Sequence, residues 1–198
     1  MTTLLMVSGS QRRDSFNTRL LRHLGYSLEG HCKLDFLDPR EVNLPMFDQD
    51  LELDPAVIHC IAELHQRFKA SQGFIVASPE YNGQLTPYLK NIIDWVSRLA
   101  HINNCFENPF IDRPVLLCSA STGSSGGSVA IPQARALFGY VGGIVIGDTL
   151  CVPYADQAWI DDSYYFDPFF ETRIDAATTR IVRLAQALTQ SRHNETPI

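Results

Sequence analysis

Gly73 to Ser78 reads GFIVAS, and this run narrows the architecture more than any other stretch of the chain. Its middle is apolar at every position, with no polar residue at alternate sites, so a strand here must be buried on both faces. A sheet buried on both faces needs helices above and below it, which is the arrangement of parallel strands joined by helical crossovers. Pro79 ends the run, because proline has no N–H for a strand ladder.

The rest of the chain alternates as that arrangement requires. TLLMVS (Thr3 to Ser8) halts at Gly9 and Ser10, and Leu20, Leu21, Leu24 and Leu28 then recur at helical spacing. CKLDFLD (Cys32 to Asp38) alternates like a strand, and Ile58, Ile61, Leu64 and Phe68 form the next helical stripe. After GFIVAS, Thr86 is placed to cap a helix with Pro87 at its first position, Leu89, Ile92, Ile93, Val96 and Leu99 on one side and Lys90 and Asp94 as a solvated pair. PVLLCSA (Pro114 to Ala120) is the fourth strand, followed by a helix carrying Val129, Ala134, Leu137, Phe138 and Val141. GIVIG (Gly143 to Gly147) is the fifth strand, and Ile174, Ala177, Ile181, Leu184 and Leu188 mark a last helix. The polar end from Gln190 is expected to fray, and the acidic, aromatic stretch from 155 to 170, ADQAWIDDSYYFDPFF, has no place in the pattern. Five strands alternating with five helices predict an α/β doubly wound, five-stranded parallel sheet of order 2-1-3-4-5.

Composition agrees with one such domain spanning residues 1 to 198. With 45% hydrophobic residues among 198 there is enough apolar material for a sizeable core. A formal net charge of −6 argues against nucleic acid, whose phosphates need a basic face. The opening MTTLLMVSGSQRRD is too short for a signal peptide or membrane span, so a soluble, cytoplasmic protein is expected. Five scattered cysteines without C-x-x-C suit a reducing compartment and argue against a disulfide framework or a zinc site. His23 and His31, or His59 and His65, are spaced wrongly for two ligands on one helical face, so no metal site is expected.

In a doubly wound sheet, ligands settle outside the carboxyl ends of the strands. The first such loop, SGSQRRDSFNTRL, has neither the G-x-G-x-x-G of a dinucleotide fold nor the G-K-[ST] of a P-loop. It crowds Ser10, Arg12, Ser15, Asn17 and Thr18 at a helix start, where free amides, hydroxyls and a guanidinium suit a terminal phosphate; equally, Ser15 could be a plain cap and the arginines solvated surface. In the loop after the third strand, Pro79, Glu80, Tyr81, Asn82 and Gly83 make a tight rim segment, with an aromatic surface at Tyr81 and tolerance of positive φ at Asn82 and Gly83. After the fourth strand, Gly123, Ser125 and Gly127 fit the G-x-S-x-G elbow of serine hydrolases, or a glycine cradle for a flat ligand. A hydrolase triad needs a histidine downstream of the serine, and only His193 is there.

Taken together, GSxRxxSxN after the first strand, SPEYNG…LKNxIDWxSR after the third and the glycine-rich loop after the fourth resemble the NAD(P)H-dependent FMN reductase family of flavodoxin-like proteins, which includes quinone, chromate and azo-dye reductases. The similarity runs from Leu4 to Gly147, and its second motif is the most specific. It implies FMN as cofactor and NADPH or NADH as co-substrate, with Ser10, Arg12, Ser15 and Asn17 on the FMN phosphate. Pro79, Glu80, Tyr81, Asn82 and Gly83 would lie along the isoalloxazine ring, and Ser121, Gly123 and Gly126 would close its other flank. Flavin N5 would carry the chemistry, with no protein acid, base or nucleophile required. The acceptor would be a small molecule such as a quinone, azo compound, metal oxyanion or free flavin, and the assembly a homodimer or homotetramer. Gln11 and Tyr88 depart from the family, where leucine and glycine are common, and bear on the packing beneath the flavin and on the acceptor pocket. The alternatives are a flavodoxin-type electron carrier and a hydrolase using Ser125.

Overall fold

The computed structural model describes residues 1–102, 108–160, 163–164 and 168–194. Strand β1 (Thr3–Ser8) leads into helix α1 (Phe16–Leu28), β2 (Lys33–Leu37), helix α2 (Pro55–Ala70) and β3 (Gly73–Ala77). A two-strand hairpin of β4 (Glu80–Tyr81) and β5 (Gln84–Leu85) precedes α3 (Pro87–Ile102). Then come β6 (Pro114–Ala120), α4 (Ile131–Tyr140), β7 (Ile144–Val152) and the single turn α5 (Ala155–Ala158). A second short hairpin, β8 (Trp159–Ile160) with β9 (Ser163–Tyr164), leads to α6 (Pro168–Asn194).

The five long strands form one sheet in the order β2-β1-β3-β6-β7, all pairs parallel. Counted as sheet strands alone, that is the order 2-1-3-4-5 expected of the alternating pattern. Side chains of a strand alternate between faces, and here both faces are dry. Leu4, Met6, Ile75, Ala77, Leu116 and Cys118 face α1 and α6, while Leu5, Val7, Phe74, Val76, Val115 and Leu117 face α2, α3 and α4. GFIVA is uniformly apolar for that reason. Phe68, Phe74, Phe110 and Phe138 meet edge to face or tilted on the second side, at centroid separations of 5.3 to 6.3 Å.

Three sequence expectations change. The fifth strand does not end at Gly147 but continues to Val152. Pairing with β6 jumps from Val115↔Val145 to Leu117↔Thr149, so Gly147 sits in a bulge. Arg135 of α4 closes that bulge by donating to the carbonyls of Ile146, Gly147 and Asp148 and to the Thr149 hydroxyl, over 2.6 to 3.2 Å. Val129 is not a core helix residue; it lies in a turn of 3₁₀ helix ahead of α4 and is half exposed. The stretch left unplaced, 155 to 170, supplies α5, the β8–β9 hairpin and the start of α6, with 161–162 and 165–167 outside the described residues. The last helix runs from Pro168 to Asn194, and 195–198 lie outside the described residues.

Candidate functional site

The loops leaving β1, β3 and β6 meet above the carboxyl edge of the sheet because their ends are tied to one another. Gly9 N–H donates to the Ala77 carbonyl at 2.8 Å, and a Cβ on Gly9 would stand 3.1 Å from the Ser78 Cα and closer still to its side chain. Glycine is what lets the first two loops touch. Thr86 has two roles: its hydroxyl accepts from Leu89 N–H, capping α3 as expected, and donates to the Gly9 carbonyl at 2.7 Å.

The first loop presents the start of α1. Ser15 is the N-cap, its hydroxyl accepting from Thr18 N–H at 3.4 Å; the backbone amides of Phe16 and Asn17 have no intrahelical acceptor, as at any helix start. Buried Ser10 accepts from Arg12 N–H, and the Thr18 hydroxyl shares a 2.9 Å hydrogen bond with Ser8. The Arg12 guanidinium folds back to the Asp14 carbonyl and lies 5.2 Å from the Phe16 ring centroid. Phe16 in turn stacks on Trp159 at 5.9 Å, which places the formerly unassigned aromatic segment against the mouth of this loop.

Asn17 behaves differently from its neighbours. Its side chain is buried and makes two hydrogen bonds across the molecule, donating to the Ala120 carbonyl at 2.9 Å and accepting from Ala120 N–H at 3.0 Å. The amide therefore ties α1 to the end of β6, leaving its backbone N–H, not its side chain, for a ligand.

In the second loop Pro79 leads into Glu80 and Tyr81, which pair with Leu85 and Gln84. Asn82 and Gly83 form the two-residue connection at φ 53° and 74°, the pair of positive values that a type I′ hairpin turn requires. The Glu80 carboxylate turns inward and accepts from Ala130 N–H at the start of α4, where a negative charge meets the positive end of the helix. Tyr81 is half exposed on the rim. The motif residues that follow hold the neighbouring segment: Asn91 and Trp95 both donate to the Pro45 carbonyl at 2.8 Å, and Asn91 accepts from Phe47 N–H. Lys90 and Asp94 form the expected surface pair. Tyr88 donates to the Pro39 carbonyl, and burial pushes its hydroxyl pKa up, keeping the proton that the bond needs.

The third loop is stapled to the turn after β7. Ser121 exchanges backbone bonds with Val152 and Ala155, and the Gly123 carbonyl accepts from Gly126 and Tyr154. Gly126 and Gly127 have positive φ, and a Cβ on either would strike the chain itself: 2.8 Å from the Val152–Pro153 backbone, or 1.9 Å from the Ser119 hydroxyl. Gly123 is the open one, its Cβ meeting only Ser121 Oγ at 3.6 Å. Ser125 Oγ accepts from Gly127 N–H, an internal turn bond. α6 carries His193 roughly 33 Å along its axis from Glu171, which pairs with His23 of α1, so the downstream histidine lies far from the start of that helix.

A doubly wound parallel sheet with a polar helix start, a tight hairpin and a glycine loop gathered at its carboxyl edge defines the flavodoxin-like class of ligand-binding folds. Within it, the chain belongs to the NADPH-dependent FMN reductase family, whose model matches residues 2–157. It is 32% identical over 123 residues to the quinone reductase of Escherichia coli K12, an alignment spanning 61% of this chain and 60% of that protein. It is 28% identical over 159 residues to a 2-hydroxy-1,4-benzoquinone reductase of a Burkholderia species, spanning 80% and 81% of the two. The structure of FerB, a flavoenzyme NAD(P)H:(acceptor) oxidoreductase from Paracoccus denitrificans, superposes with a TM-score of 0.80 over 94% of this chain and 98% of its own, at 22% identity. Among the described residues, no helix is long and apolar enough to cross a membrane.

The donor set fits FMN: helix-start amides, hydroxyls and a guanidinium suit a phosphate monoester, and the half-exposed Tyr81 and the open Gly123 leave room for a flat ring.

Proposed function

We propose that this chain is an FMN-dependent oxidoreductase that takes hydride from NAD(P)H and passes it to a small acceptor such as a quinone, an azo compound, a metal oxyanion or free flavin. The observation that carries the reading is that the family match covers the same residues that build the three converging loops. FMN, when bound, accepts and donates the hydride; the chain's part is to bind and orient it. In this reading the amides of Phe16 and Asn17, the hydroxyls of Ser10, Ser15 and Thr18 and the Arg12 guanidinium hold the phosphate. Pro79, Glu80, Tyr81, Asn82 and Gly83 line one side of the ring with backbone, Glu80 acting through its cap on α4. Ser121, Gly123 and Gly126 bound the other side, and Gly123 is the position where the ring can come close. A homodimer or homotetramer in the cytoplasm, its cysteines kept as thiols, completes the proposal.

Purified protein should be yellow, release FMN on denaturation, and oxidise NADPH or NADH with a benzoquinone in the absence of any partner protein. A preparation that neither carries nor takes up FMN would overturn the reading. Bound FMN without nicotinamide oxidation would convert it into that of an electron carrier.

A further inference from the structure

The family match ends at residue 157, and Trp159 stands two positions beyond it. Its backbone N–H donates to the Ala155 carbonyl across the single turn α5, and the Ala155 N–H donates to the Ser121 carbonyl of the glycine loop at 3.0 Å. The backbone of Trp159 is thereby fixed to the third loop. Its side chain is 7% exposed and packs in the core on the α1 and α6 face of the sheet.

From there the ring reaches the first loop. It stacks on half-buried Phe16, with 5.9 Å between centroids and 23° between planes. Phe16 opens α1 directly after the Ser15 cap, and two guanidiniums stand against its ring, Arg12 at 5.2 Å from the centroid and Arg19 at 5.9 Å. Arg12 is exposed, and its hydrogen bonds go to the Asp14 carbonyl, a neutral group that leaves its charge uncancelled. A guanidinium is attracted to the face of an aromatic ring, so whatever fixes the Phe16 ring also fixes the Arg12 charge beside the helix-start amides. The Asn17 tie to Ala120 holds the backbone of α1 and does nothing for a side chain that lies ahead of the helix. An arginine already held in one place loses less freedom when an anion arrives.

We propose that Trp159 is a positioning residue for the cofactor phosphate: through Phe16 it holds the Arg12 guanidinium at the start of α1 and so strengthens the preference for FMN over riboflavin, the same flavin without the phosphate. The proposal rests on the reductase reading above, which puts that phosphate in the first loop. Were Trp159 only core filling, its replacement would disturb every part of the site alike. Because it holds Arg12, the phosphate end alone responds.

The test uses the full chain stripped of FMN and titrated with FMN and with riboflavin, each followed by flavin fluorescence. W159L keeps apolar volume in the core without an aromatic face, F16L does the same one ring nearer the loop, and urea unfolding checks that each variant is folded. Both should weaken FMN about fivefold or more while riboflavin affinity stays within about twofold of the parent's. W159F should bind both flavins as the parent does. R12A should lose FMN affinity in the same selective way, and R12A/W159L should bind FMN no more weakly than R12A, because the contribution of Trp159 passes through that guanidinium. Equal losses for FMN and riboflavin in W159L and F16L overturn the proposal, as do FMN affinities unchanged from the parent or losses in R12A and W159L that add. Should W159L fail to fold, F16L and R12A/F16L give the same decision. A parent chain that takes up neither flavin removes the reductase reading and the proposal together, whereas equal losses for the two flavins remove the proposal alone.

Discussion

Replacing Asn17 by alanine separates two roles for this residue. The family motif assigns it to the FMN phosphate, whereas its side chain is buried and spent on both polar groups of the Ala120 backbone. Alanine leaves the Ala120 N–H and carbonyl without those partners, in a place where Ala120 is only 3% exposed. An unpaired buried group costs about 1–3 kcal/mol, so the pair costs about 2–6 kcal/mol. Alanine's better helix propensity returns up to about 0.7 kcal/mol at this second helical position. The net expectation is a loss of about 1–5 kcal/mol, which with a urea m-value of about 2 kcal/mol/M moves the unfolding midpoint down by about 0.5–2.5 M.

The assay is urea unfolding of parent and N17A, once stripped of FMN and once at saturating FMN. Ligand that binds only the folded state stabilises it by mass action, so the FMN-free curves isolate the strut and the difference between the two sets isolates the cofactor contact. A strut predicts the full drop without FMN. If the stripped N17A midpoint stayed within about 0.3 M of the parent while FMN affinity fell tenfold or more, the side chain would be a cofactor ligand and the argument refuted.

The three glycines of the third loop should respond unlike one another. Gly126→Ala and Gly127→Ala should each destabilise the FMN-free protein by more than about 1 kcal/mol, because both combine positive φ with a Cβ driven into the chain. Gly123→Ala should leave FMN-free stability near the parent's and weaken FMN binding; matching effects at all three positions in denaturation and in FMN titration would contradict this division. The described thiols should also divide. Burial raises the Cys151 pKa to about 11, so it stays a neutral, slow thiol until the pH approaches that value, whereas Cys60 is exposed. Iodoacetamide at pH 8, followed by peptide mass mapping, should label Cys60 and spare Cys151; equal labelling of the native protein would show that the end of β7 opens.

What the sequence made legible was whatever depends on neighbours along the chain. Both-face burial of GFIVAS, the helical stripe after each strand, the Thr86 cap with Pro87, and positive φ at Asn82 and Gly83 are local chemistry, and each is where that chemistry puts it. What escaped depends on partners distant in sequence. Gly147 and Asp148 look like a strand end; they form a bulge because Arg135 reaches their carbonyls, and Arg180 pairs with Asp148. Nothing near Asn17 announces a partner 103 residues away. Glu80 looks like a rim residue of its loop, while its carboxylate is committed to α4, 50 residues on. The glycines of the third loop were visible as glycines, but their reason was not: two of the three serve the chain's own packing, and Gly123 alone has open space where a Cβ would stand.

Those distant bonds share a direction. Gly9 is held by Ala77 and Thr86, Asn17 by Ala120, Glu80 by Ala130, and Ser121 by Val152 and Ala155. Each site loop is thus anchored to the end of another element, so the loops cannot be altered one at a time. A ligand that meets groups already held in place pays little ordering cost, and that raises affinity without any added contact. The same wiring explains why a residue can matter to the cofactor without touching it. A severed Asn17 strut would loosen the start of α1 and the glycine loop together, weakening the phosphate end and the ring end of the site through one missing amide.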